Sequence, residues 1–123
     1  MKGRYRLTRA ADSDIEGILA ESGRLFGPLQ RERYARLIEQ AVEWVAGEPD
    51  RPGSRPREEL CAGVRSFHVE LAAGRRGAAS HLVYYVRGRM ADGGDGIVVL
   101  RVLHERMDPL LHVLEEGRLT PAP

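Results

Sequence analysis

The sequence has almost no lysine and almost no cysteine. Lys2 is the only lysine and the other 18 basic residues are arginine, so any mechanism that requires a lysine depends on that one residue. Cys61 is the only cysteine, which excludes an intrachain disulfide and removes the usual cysteine-based zinc sites. We therefore expect no metal and no cofactor, and a lone thiol is typical of a reducing cytoplasm.

Long apolar runs and an excess of one charge are also missing. No apolar run approaches the ~20 residues that a membrane-spanning helix needs, and the first ten residues lack the apolar stretch of a secretory signal. The formal net charge is only +1, whereas a protein that coats nucleic acid has a large basic excess. These absences predict a cytoplasmic protein with no membrane partner and no direct sequence-specific DNA binding.

The first half of the chain predicts one strand and two helices. Residues 4–8 alternate like a short strand, and residues 10–26 and 29–46 carry apolar side chains at the 3.6-residue period of a helix. Gly27 and Pro28 separate the two helices, since glycine commonly ends a helix and proline commonly begins one. Because this connection is so short, we predict an antiparallel helix hairpin.

The second half predicts three strands. Residues 47–57 contain three prolines and two glycines and are expected to form a loop. Residues 63–71, 80–87 and 97–103 have strand composition, and glycine-rich connections make them consecutive hairpins.

A short C-terminal helix completes the predicted order. Asp108 and Pro109 are an N-cap and first-turn pair, and Gly117 is placed to end that helix. The predicted fold is α+β in the order β-α-α-β-β-β-α, with a mainly antiparallel four-stranded sheet. The first strand pairs with the last, and the helix hairpin packs on one face. We expect a single domain over residues 1–117 and a frayed tail over residues 118–123.

The last strand leads directly into a polar segment. Residues 97–103 are apolar except for Arg101, so both faces of this strand should be buried. The strand ends in the run His104-Glu105-Arg106-Met107-Asp108. A buried strand that ends in clustered polar groups often forms a functional edge.

Short segments along nearly the whole chain resemble one known family. They are residues 5–8, 10–15, Tyr34 with Leu37 and Ile38, Pro49, Leu60, residues 63–68, 81–85 and 100–108. In this order and at these spacings the chain resembles the ParE branch of the RelE/ParE toxins, the toxin halves of bacterial toxin–antitoxin pairs. One departure is the longer arm over residues 71–79, bearing Arg75 and Arg76, where many ParE-like chains have a tight turn.

The resemblance implies a function and partners. It implies the RelE/ParE-like fold and the toxin of a type II system, neutralised in the bacterial cytoplasm by a ParD-like antitoxin that lies along the helix hairpin and sheet. It further implies inhibition of DNA gyrase by binding rather than by catalysis. The alternative is the RelE branch, whose members cleave messenger RNA on the ribosome.

Candidate site residues fall into three sets. For target binding and toxicity we predict Arg65, Arg101, His104, Arg106, Met107 and Asp108. For antitoxin binding we predict Leu25, Phe26, Tyr34, Trp44 and Phe67. If the protein is a nuclease, the base, acid and cationic groups that RNA cleavage needs are Arg65, Arg101, His104 and Tyr85.

For some of these residues the alternative is a purely structural role. Arg65 and Arg101 lie inside strand patterns and could instead form internal salt bridges, for instance to Asp108 or Glu105, because a buried arginine needs a partner. Trp44 could be a helix-edge anchor rather than a contact for the antitoxin.

Overall fold

A computed structural model describes residues 4–110. The chain begins with β1 (Tyr5–Leu7) and continues into α1 (Arg9–Phe26) and α2 (Pro28–Gly47). The hydroxyl of Thr8 caps α1 by accepting the Ala11 N–H at 3.0 Å. Gly27 has φ of 90°, which lets the chain leave α1 and enter α2 at once. The predicted helix hairpin is therefore confirmed.

The sheet consists of β1, β2 (Arg55–Pro56), β3 (Arg65–His68), β4 (His81–Arg89) and β5 (Asp95–His104). Their spatial order is β1-β5-β4-β3-β2. β1 runs parallel to β5, and every other pair is antiparallel. The predictions that the first strand lies beside the last and that the three long strands form a meander are confirmed.

The predicted strand number was wrong. The sheet has five strands rather than four, because Arg55 and Pro56 pair with Ser66 and Arg65 inside the segment expected to be loop. Proline is compatible with this position since β2 is an edge strand, where one side of the backbone makes no ladder hydrogen bonds.

The third predicted strand is also shorter than expected. β3 ends at His68, and Glu70–Ala73 forms a short helix, α3, whose sequence Glu-Leu-Ala-Ala consists of good helix formers. Besides α1 and α2, α3 is the only complete helix within residues 4–110. Pro109 and Leu110 begin a helical turn, but the rest of the predicted C-terminal helix, the boundary at residue 117 and the tail over residues 118–123 lie outside them.

The sheet separates two apolar clusters. The helix hairpin packs on one face, where Ile38, Val45 and Tyr85 are fully or almost fully buried. The opposite face carries a smaller cluster of Leu60, Val64, Tyr84, Val98, Leu100 and Leu103. β5 contributes to both clusters, which confirms that its two faces are buried. No helix within residues 4–110 is long and apolar enough to span a membrane.

Candidate functional site

An apolar groove lies between the end of the helix hairpin and the start of β4. It encloses about 450 Å³, and its walls include Leu25 and Phe26 from α1 and residues 77–80 from the segment before β4. Leu25 is 54 % exposed and Phe26 is 70 % exposed. Exposed aromatic and aliphatic side chains around a concave surface are typical of a protein-binding site.

Tyr34, His81 and His104 line the base of this groove. The hydroxyl of Tyr34 accepts the Ser80 N–H at 3.1 Å and forms a second hydrogen bond with His81 Nδ1 at 2.7 Å. The His81 and His104 rings meet edge to face with centroids 5.3 Å apart. Burial, together with the neighbouring His104, lowers the pKa of His81 from 6.5 to about 4. The His81 ring is therefore neutral at neutral pH and is held in place by its hydrogen bond with Tyr34.

Arg65 and Tyr85 belong to a polar network away from the groove. Arg65 Nε donates to Ser54 Oγ at 2.7 Å, and Ser54 Oγ lies 2.6 Å from the Tyr85 hydroxyl. That hydroxyl donates to the Pro49 carbonyl at 2.5 Å, and burial raises the pKa of Tyr85. Asp50 lies 3.5 Å from Arg65 Nε. The network ties the loop after α2 to the sheet.

Arg101 of β5 forms an ion pair with Asp14 of α1. Its Nε and one terminal nitrogen each donate to a different oxygen of Asp14 at 2.7 Å. The predicted alternative of an internal salt bridge is confirmed for Arg101, but the suggested partners, Asp108 and Glu105, were wrong. For Arg65 the nearest carboxylate is likewise neither of these but Asp50, at a longer distance.

The segment after β5 presents its side chains to solvent. Arg106, Met107 and Asp108 are all exposed. The Arg106 N–H donates to His104 Nδ1 at 3.1 Å, and Asp108 Oδ1 accepts the Leu110 N–H at 3.0 Å, the geometry of an N-cap. These two hydrogen bonds fix the backbone around Arg106 and Met107, whose side chains are exposed.

Trp44 and Phe67 do not lie on the groove. Phe67 is 1 % exposed, and the guanidinium of Arg51 stacks 4.4 Å from the Trp44 ring and 5.9 Å from the Phe67 ring. Phe67 is thus buried beneath the hairpin, whereas Trp44 is a half-buried residue of α2 with Arg51 stacked on its ring.

The predicted residues therefore separate into groups. Leu25, Phe26, Tyr34 and His104 meet at the groove. Arg65 and Tyr85 instead belong to the Ser54 network, and Arg101 is paired with Asp14. The sequence analysis assigned no target-binding, antitoxin-binding or catalytic role to Asp14, Ser54 or His81. The only signal at Asp14 was the general preference for acidic residues near a helix N-terminus. No local pattern predicted the hydrogen bonds of Ser54 or His81. Among residues 4–110, no group of three or more His, Cys, Asp or Glu side chains could hold a metal.

A helix hairpin on a mixed sheet, with an uncovered apolar groove at its end, defines a small domain suited to binding another protein. The family model described as "ParE toxin of type II toxin-antitoxin system, parDE" matches residues 5–109. Toxin ParE1 of Caulobacter vibrioides is 31% identical over 109 residues, which cover 89% of this chain and 96% of the relative. Toxin ParE1 of two Mycobacterium tuberculosis strains is 33% identical over 109 residues, covering 88% and 95%. The chain belongs to the ParE toxin family of type II toxin–antitoxin systems, and this family implies a ParD antitoxin as partner.

Proposed function

We propose that this toxin inhibits DNA gyrase by binding it, and that a ParD-like antitoxin neutralises it by covering the apolar groove. The observation that favours a binding inhibitor over a nuclease is that the four residues that RNA cleavage would need do not form one site: Arg65 and Tyr85 share a network, Arg101 pairs with Asp14, and His104 lines the groove. Arg65 and Tyr85 are engaged by Ser54 and Pro49, and Arg101 is engaged by Asp14. A base, an acid and a cation must converge on one phosphate to cleave RNA.

The exposed groove supports the antitoxin part of the proposal. Leu25 and Phe26 form its outer wall and Tyr34 its base, and these are the residues through which the antitoxin would bind. Trp44 and Phe67 would contribute indirectly, because Trp44 on α2 packs against the core cluster that contains Phe67 and so helps to hold the hairpin on the sheet.

The exposed segment after β5 supports the target part. Arg106 and Met107 combine a charge with a flexible apolar side chain, and loop residues displayed by a rigid sheet often bind partners. Arg65, Arg101 and His104 would then act by holding the sheet and the exit of β5 in shape.

A supercoiling assay tests the target. The toxin is released from its antitoxin, refolded and added to gyrase, relaxed plasmid and ATP. We expect supercoiling to stop, and messenger RNA in arrested cells to stay intact by primer extension. Cleavage within ribosome-occupied codons, with supercoiling unaffected, would establish the nuclease alternative and overturn the proposal.

A pair of charge insertions tests the antitoxin groove. Phe26→Asp places a carboxylate in the groove wall, whereas Leu71→Asp places one on α3, where Leu71 is also exposed but does not line the groove. We expect Phe26→Asp to weaken antitoxin binding at least tenfold and Leu71→Asp to leave it unchanged. Equal affinities for the two variants would exclude the groove as the antitoxin site.

A further inference from the structure

The arm between α3 and β4 (residues 74–79) is held in a defined conformation. Gly74 and Gly77 have φ of 67° and 79°, values that favour glycine, and they bracket Arg75 and Arg76. The Gly77 N–H donates to Glu70 Oε1 at 2.9 Å, and the Ala78 N–H donates to the Arg75 carbonyl at 3.3 Å. Two turns therefore place the arginine pair at the tip of the arm.

The same arm forms one wall of the groove. Gly77, Ala78 and Ala79 line it together with Phe26. Ala79 is buried, and the next residue, Ser80, donates its N–H to the Tyr34 hydroxyl at the base. A partner segment seated in the groove would therefore pass beside the arm.

The arginine pair has no carboxylate partner within residues 4–110, whereas Arg24 on the facing helix has one. On the α1 side of the groove, Arg24 pairs with Glu21 at 2.5 Å. Arg75 and Arg76 are exposed and form no ion pair within the described part of the chain. Glu70, the nearest acid in sequence, directs one oxygen to the Gly77 N–H. Two positive charges therefore directly precede Gly77 and Ala78, the residues with which the arm lines the groove.

We propose that Arg75 and Arg76 select the cognate antitoxin by binding carboxylates on the segment whose apolar side chains fill the groove. This inference rests on the proposed role of the groove as the antitoxin site. Guanidinium groups match carboxylates with two parallel hydrogen bonds, and exposed charges of this kind discriminate between partners and speed association. The apolar groove supplies affinity, and the arm restricts binding to antitoxin segments that carry acidic residues beside their apolar ones.

A charge reversal with a matched control tests the arm. The double variant Arg75→Glu/Arg76→Glu is compared with Arg6→Glu/Arg89→Glu, which makes the same charge change on β1 and at the far end of β4 from the groove. Each variant is purified as its complex with the ParD-type antitoxin, and the bound antitoxin is exchanged for a fluorescent copy. We expect the arm variant to bind about tenfold more weakly at about 50 mM salt, with the difference shrinking at about 500 mM.

The antitoxin supplies the second half of the test. Acidic residues in its toxin-binding segment are changed to the matching amides, and the arm reversal should then have little further effect. Equal affinity of the arm variant and the wild type would overturn the proposal, as would an equal loss in the control. Unchanged antitoxin affinity with lost gyrase inhibition would assign the arm to the target instead. If Phe26→Asp has no effect on binding, the groove itself fails as the antitoxin site, which is a separate result.

Discussion

Asp14 and Arg101 form a two-pronged ion pair between residues 87 positions apart in sequence. The pair closes an open edge of the sheet. β1 ends at Leu7, so β5 beyond Leu100 has no neighbouring strand on that side. There the Asp14 carboxylate accepts the Val102 N–H at 3.0 Å while it binds the guanidinium. One acid on α1 therefore accepts a backbone N–H that a neighbouring strand would otherwise bind, and it also fixes the helix on the sheet.

Arg101→Ala should destabilise the protein by about 3–5 kcal/mol. The substitution leaves the Asp14 carboxylate, whose side chain is only 15% exposed, without its cation. The double variant Arg101→Ala/Asp14→Asn should recover much of this loss, because the neutral amide oxygen still accepts the Val102 N–H. Urea denaturation of the three proteins measures the effect. An Arg101→Ala protein as stable as wild type would show that the pair is not structural.

Local patterns predicted the elements that carry their own periodicity. The helix hairpin, the meander and the pairing of β1 with β5 follow from apolar spacing, turn residues and the double burial of the last strand. The Asp14–Arg101 pair illustrates the limit, since Arg101 visibly needed a partner but the partner lies on α1. β2 was missed because two residues paired at an edge have no readable period. α3 was missed because one helical turn following a strand looks like the strand's continuation.

Tyr85→Phe should cost about 1–3 kcal/mol. The Tyr85 hydroxyl donates to the Pro49 carbonyl and contacts Ser54 Oγ, so its removal leaves part-buried polar atoms with fewer partners. Tyr5→Phe is the matched control, because Tyr5 is exposed. Thermal melting compares the two, and a Tyr85→Phe melting temperature equal to that of the control would remove this network from the stabilising contacts. Since Tyr85 lies outside the groove, we expect antitoxin affinity to be unchanged.

Asp108→Ala should cost about 1 kcal/mol, because the carboxylate accepts the Leu110 N–H at the start of the following helical turn. Asp108→Asn and Asp108→Ser keep a capping oxygen and should stay near wild-type stability. Denaturation in urea distinguishes these variants. If alanine, asparagine and serine gave the same loss, the charge of Asp108 or another contact would be responsible rather than the cap.

Arg106→Ala should leave stability almost unchanged and weaken toxicity. The Arg106 side chain is exposed, and its contribution to the fold is a backbone N–H that alanine retains. Arg89→Ala provides a control, because Arg89 is also exposed but lies at the opposite end of β4 from His81. Growth arrest on induction, measured beside thermal melting, checks both variants. Full toxicity of Arg106→Ala would exclude this arginine from the target-binding surface.

Stability should fall as the pH drops from about 6.5 to about 4, because His81 is held neutral in the folded protein. Its pKa is about 4 when folded, against 6.5 as the ordinary value, with burial as the main cause and His104 as the second. Between these values the unfolded chain binds more protons, so acid favours unfolding, and the loss is complete below the folded pKa. We expect a contribution on the order of 1–2 kcal/mol, since the ring is only partly buried. His81→Asn keeps a side chain that can form a hydrogen bond with the Tyr34 hydroxyl but cannot titrate, so its urea-unfolding free energy should vary less over this range. An identical pH dependence in both proteins would place the titrating group elsewhere.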